Sequence, residues 1–202
     1  MAFIGMKYPV AGKLGEDGTY SDGFVIGKAI TFTATPTNND VELWADDEAC
    51  ETDRSVQDMG VSLNVDDLSL KVQADLLGHG YTAATEAAGD NPAVEESIDI
   101  GTDDVAPFFG IAFYKRRKKN NVVSFIGIFL RKVQLSEPTE EGRTKGGNTE
   151  FQTPTIEGKA YPVSVTVGGS KKNSLGTKAT FKTEADARAW CEKMVGYKQV
   201  GA

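Results

Sequence analysis

Cysteine and histidine are nearly absent from this chain: Cys50 and Cys191 are its two thiols and His79 its single imidazole. The cysteines stand far apart without C-x-x-C spacing, so neither a disulfide framework nor a cysteine metal site is expected, and both read as reduced thiols of a cytosolic protein. Long hydrophobic runs are missing too. The longest nearly uninterrupted one, residues 122–130, has the length of a strand, whereas a spanning helix needs about 20 apolar residues. Residues 1–18 hold neither the sustained apolar core nor the small-residue cleavage site of a signal peptide, so export is not expected. With no proline-rich or serine-rich linker and no internal repeat, the 202 residues read as one domain.

What is present is the composition of a soluble globular protein, 40% apolar and 25% charged. A chain of this size buries roughly 70% of its unfolded surface. Its net charge of −7 argues against a protein that wraps nucleic acid by neutralising phosphates. The distribution of that charge is more informative than its sum. Residues 1–39 are neutral, residues 40–104 set 18 acids against Arg54 and Lys71, and residues 105–202 set 17 bases against eight acids. The blocks can neutralise each other within one fold, or the acidic region of one copy can meet the basic region of the next in a head-to-tail contact.

Alternating apolar residues predict strands. Phe24, Ile26, Ile30 and Phe32 mark a half-buried strand over residues 24–34; a short strand follows at 41–44, then a long exposed loop over 45–60. Val61, Leu63 and Val65 give the next strand. Leu68, Val72 and Leu76 repeat at helical spacing, with Asp66 as N-cap and Gly78 just past the end, predicting a helix over 67–77. Residues 83–104 carry seven acids and no base and read as an exposed excursion. The strongest β signal is a hairpin over 105–133, its polar tip at 118–121. Residues 137–148 read as a loop, Tyr161, Val163, Val165 and Val167 as one strand. Thr183 caps a terminal helix over about 184–195, whose buried face is Ala187, Trp190, Cys191 and Met194. About six to eight strands and two helices place the chain in a mostly β (α+β) class, a sandwich or barrel flanked by helices.

Chemistry-bearing motifs are sparse. His79 has no serine or cysteine in a nucleophile context near it, G-x-S-x-G is absent, and the residue reads as structural or solvent-exposed. Residues 78–83 match G-x-G-x-x-A but follow a helix instead of opening one, so no dinucleotide site is expected. The pairs Asp46-Asp47, Asp66-Asp67 and Asp103-Asp104 lack the alternation of a calcium loop. Lys115, Arg116, Arg117, Lys118 and Lys119 form the one basic run; strand geometry spreads them over two faces and no aromatics interleave, so a solvated tip or an acidic protein partner is favoured over nucleic acid. No catalytic residue, cofactor or metal is expected.

Five segments taken in order carry a resemblance: residues 38–48 around Val41 and Trp44, 63–79 from Leu63 to His79, 103–115 with Pro107 and Phe109, 150–158 with Phe151 and Pro154, and 183–190 ending at Trp190. Together they resemble the major tail proteins, or tail tube proteins, of long-tailed bacteriophages, over nearly the whole chain. The resemblance implies a tail-tube-type β-sandwich or barrel with a flanking helix and a C-terminal helix, assembling into hexameric rings stacked as the tube through which DNA leaves the virion. It implies a structural protein with no catalytic residues, made in the host cytoplasm and built into the tail, meeting tape measure, tail terminator and distal tail proteins, with no membrane contact. It places an inter-ring contact at the 45–60 loop and its edge, with Trp44, Asp46, Asp47, Glu48, Glu51, Asp53 and Arg54 as its residues. Parts of the 24–34 and 105–133 strands would line the lumen, where an acidic wall lets DNA slide without gripping it. A tube subunit of a contractile injection or secretion apparatus and a carbohydrate-binding β-module are the competing readings.

Overall fold

A computed structural model describes residues 2–45, 48–87, 92–139 and 153–198. Among them the chain runs through β1 (Ala2–Leu14), β2 (Tyr20–Val25), β3 (Ala29–Ala45), β4 (Glu48–Val65), α1 (Leu70–Leu77), β5 (Gly80–Thr82), β6 (Ser97–Asp99), β7 (Phe109–Lys119), β8 (Val122–Leu135), β9 (Thr155–Tyr161), β10 (Val163–Val167), β11 (Ser170–Ser174), β12 (Gly176–Phe181) and α2 (Glu184–Met194). The class is mostly β, with one large antiparallel sheet and two helices, as the sequence predicts. The described residues hold twelve strands, more than the alternation pattern reveals.

The β7–β8 hairpin is the centre of the sheet. Asn120 and Asn121 both take positive φ, 49° and 61°, the two-residue turn whose twist matches the flanking strands. Residues 109–114 are all buried, which requires cover on both faces. One face packs Phe109 and Ile111 with Leu63, Leu76, Leu130, Val133 and Ile156. The other packs Ala112 and Tyr114 with Phe125, Phe129, Ala187, Cys191 and Val195. Thus α1 covers the first face and α2 the second.

Sheet order is β2-β1-β7-β8-β9-β4-β3, with β12 also pairing β8. Consecutive strands β2 and β3 therefore stand at opposite ends of the path, joined only by Ile26, Gly27 and Lys28. Such a link spans at most about 14 Å, so the sheet curls until its ends meet and the first core lies inside a barrel. Phe32 of β3 reaches across to Phe113 of β7, with ring centroids 4.3 Å apart. The link is held at both ends: the Ile26 amide donates to the Pro9 carbonyl at 3.0 Å, and the Asp66 amide to the Lys28 carbonyl at 2.9 Å. Lys28 in turn donates its amide to the Asp66 carboxylate at 2.7 Å. At Gly27 an added Cβ would stand 2.7 Å from the Asp67 carbonyl oxygen, so the close pass needs glycine.

Several expectations are corrected here. The single strand over 24–34 is two strands split by that link, because the alternation of Phe24, Ile26, Ile30 and Phe32 runs through a corner. Asp66 does not cap α1. Its carboxylate binds the Lys28 and Asp67 amides, and the helix starts later, at Leu70, with the Ser69 hydroxyl accepting from the Val72 amide. Strand β1 gives little alternation because Gly5 and Tyr8 take positive φ and two irregularities shift its register against β7. The strand read over Tyr161 to Val167 breaks at Pro162, which lacks an amide for the ladder; β10 pairs only β11. Pro107 likewise keeps residues 105–108 out of β7, while Lys118 and Lys119 belong to it. Residues 83–87 and 92–104 are mostly exposed, with β5 and β6 forming a small ribbon at their base. Of the expected loop over 137–148, residues 140–148 lie outside the described residues.

The terminal helix runs as its sequence predicts. The Thr183 hydroxyl accepts from the Asp186 amide, Ala187 and Cys191 are fully buried, and burial pushes the Cys191 thiol up to about 12. The Trp190 ring lies on Gly127, where a Cβ would come within 2.6 Å of it. Phe129 has no exposed surface and meets the Tyr20 ring edge-on at 5.1 Å. Replacing Phe129 with alanine is expected to cost about 3–5 kcal/mol in equilibrium urea denaturation; a loss below about 1 kcal/mol would contradict this packing.

Candidate functional site

Strand β4 pairs β9 only from Met59 to Asn64. Beyond that root, residues 37–58 of β3 and β4 pair only with each other, from Thr37↔Asp58 out to Ala45↔Glu48. At about 3.4 Å per residue the ribbon extends about 30 Å from the barrel. It holds eight acids and one base, Arg54, which pairs with Asp40 across the strands at 3.2 Å. Val41 and Val56 are half exposed. This arm replaces the expected exposed loop over 45–60. Residues 37–42, 51–52 and 54–57 are exposed on both faces, so this stretch has no buried side to impose alternation and its sequence does not look like a strand. Of the contact residues expected there, Trp44, Glu48, Glu51, Asp53 and Arg54 lie on the paired strands, and Asp46 and Asp47 lie outside the described residues.

The basic run forms a second projection. Lys115, Arg116, Arg117, Lys118 and Lys119 pair with residues 122–126 of β8 on one side, and Ala2, Phe3, Ile4 and Met6 of β1 pair with positions 115–118 on the other. Strand alternation puts Lys115, Arg117 and Lys119 on one face and Arg116 and Lys118 on the other. Arg117 donates to the Ser124 hydroxyl at 2.9 Å, and the Lys115 ammonium lies 5.7 Å from the Phe113 ring centre. Phe3, Ile4 and Val122 are exposed among these charges.

Arm and tip share a direction. Strand β9 is antiparallel to both β8 and β4, so β8 and β4 run parallel. Their first residues, Val122 beside the basic tip and Glu48 at the described end of the arm, therefore lie toward the same end of the barrel.

Among the described residues, His79 is a buried titratable side chain set between two partly exposed carboxylates. It follows the left-handed Gly78 at the end of α1, with its side chain 4% exposed. Its Nδ1 lies 2.8 Å from Asp104 and its Nε2 2.9 Å from Glu137. Two carboxylates can only accept, so both ring nitrogens donate and the ring is an imidazolium. The Asp104 hydrogen bond raises its pKa against the opposing effect of burial, with Glu137 adding to the rise. Asp104 is held below the ordinary carboxylate range by His79 and by the Gly101 amide. With both nitrogens engaged, the ring is a staple between the end of α1 and two distant segments. The acids lie 25 and 58 residues away, and no local pattern announces them.

A cavity of about 710 Å³ opens between β1, the 26–28 link and the start of α1. Its polar lining is internally paired: Lys7 with Glu184 at 3.1 Å, Lys28 with Asp66 at 3.6 Å, and the Tyr114 hydroxyl donating to Glu184 at 2.8 Å. Tyr114 and Lys7 hold Glu184 below the usual range. Among the described residues no three histidine, cysteine, aspartate or glutamate side chains group to hold a metal ion, and no helix is long and apolar enough to cross a membrane. No protein-family model and no curated protein matches the chain.

The His79 staple makes stability depend on pH. Because the folded pKa is raised, its contribution is complete below the unfolded value of about 6.5 and is lost as pH rises through the folded value. The melting temperature should fall over that interval, and His79→Gln should flatten this part of the profile. A parent profile that stays flat there would contradict the charged staple.

Proposed function

We propose that this protein is a structural subunit of the tail-tube type: copies close into rings, rings stack into a tube, and DNA passes through the bore during ejection. The observation that carries this reading is the arm. A two-stranded ribbon is marginal by itself in water, and its unpaired edges and half-exposed valines are surface a lone subunit does not use. A subunit that assembles uses it as its contact. The ordered resemblance of five segments to tail tube proteins supports the same reading, as does a barrel that draws strands from both ends of the chain.

In such a tube the subunit does mechanical and electrostatic work. Phosphate contacts each add salt-sensitive affinity, and a chain with net charge −7 offers DNA a path that repels more than it binds. Tape measure, tail terminator and distal tail proteins would meet the tube inside and at its two ends, and the subunit's place is the virion tail.

Negative-stain microscopy and light scattering of the concentrated protein test the proposal: rings and short tubes are expected. Replacing residues 37–58 with Asn-Gly, which closes the root as a tight hairpin, should leave a folded monomer. Should the parent protein stay monomeric at every concentration and salt, the reading fails; glycan binding by that monomer would favour an adhesive module instead.

A further inference from the structure

We infer that the arm of one copy docks on the basic tip of a neighbouring copy within the same ring; this rests on the self-assembly proposed above. The two surfaces complement each other in both of their components. Residues 37–58 carry eight acids and one base, and residues 115–119 carry five bases in a row. Val41 and Val56 on the arm, and Phe3, Ile4 and Val122 beside the tip, are exposed apolar side chains. Each projection thus offers charge of one sign around an apolar strip.

Direction decides which neighbour is reached. Arm and tip point toward the same end of the barrel, because β4 and β8 run parallel on either side of β9. Copies related by rotation about an axis along that direction keep arm and tip at one level, and an arm of about 30 Å can reach sideways to the next tip. Copies stacked along the axis would instead bring the arm to the opposite end, reached by the β1–β2 turn and the end of β4. That end carries Glu16, Asp17, Asp66 and Asp67 against two bases, Lys13 at the end of β1 and Lys28, which is already paired with Asp66. An acidic arm is repelled there. A heterologous contact repeated by rotation closes a ring. The resemblance alone places residues of the 45–60 segment between rings; topology and charge place this contact inside one.

Charge reversal tests it. One variant carries Glu42→Lys and Glu51→Lys, a second Lys118→Glu and Lys119→Glu, and a third all four changes; circular dichroism and melting confirm that each is folded. Each two-site variant should lose rings and sediment as a monomer, because the change cuts the arm's net charge from −7 to −3 or the tip's from +5 to +1 and sets like charges against each other at the reversed positions. Rings should return when the two are mixed in equal amounts, since alternation suits an even-membered ring, and in the four-site variant. Rings of parental abundance from either two-site variant would overturn the contact while leaving self-assembly intact. So would single rings that merely fail to stack, or a folded four-site variant and an equal mixture that stay monomeric. If the parent itself never assembles, the proposed function fails and this contact with it.

Discussion

Ile26, Gly27 and Lys28 join strands that stand at the two ends of the pairing order, and a sheet whose ends are tied by three residues must curl. Much of the architecture follows from that tie. It places the first core inside a barrel, where Phe32 can touch Phe113. It brings Lys28 to Asp66, so the carboxylate that the sequence offers as a helix cap is used between strands instead, and α1 starts at Leu70. The tie also fixes where β3 leaves the barrel. The remainder of the β3–β4 hairpin, having no third strand beside it past Met59, becomes the arm.

Legibility of the sequence tracked burial. The β7–β8 hairpin is readable as two long apolar runs because its strands pack between two cores, and the Asn120-Asn121 turn sits between polar residues. The terminal helix is readable through Thr183 and its apolar stripe. What stayed hidden has a separate cause in each element. Strand β1 has its period broken by Gly5, Tyr8 and register shifts; residues 37–42 and 54–57 of the arm are exposed on both faces; and the 24–34 segment keeps its alternation through a corner, so pattern alone reads it as straight. The five basic residues at 115–119 were legible as a charged tip, but not the part that β1 plays in widening it. The His79 staple depends on Asp104 and Glu137, brought together only by the fold.

The charge separation along the chain acquires a spatial meaning through this topology. A good part of the acid excess of residues 40–104 stands on the arm, and the longest run of consecutive bases stands at the β7 tip, toward the same end of one barrel. Within a single protomer these projections leave the sheet on strands separated by β9, and their charges reach furthest toward solvent. Opposite charges presented that way steer encounter and fix register between copies more than they add stability to one copy, in keeping with an arm that a lone barrel does not use.

Sedimentation velocity of the parent protein across a salt series tests the central claim that opposite charges on arm and tip drive self-assembly. Surface charges are screened as the Debye length falls from about 10 Å at 0.1 M to about 3 Å at 1 M. The account predicts ring-sized species at low salt that give way to monomer as salt rises. A monomer at every salt concentration, or assemblies whose size is indifferent to salt, would contradict it.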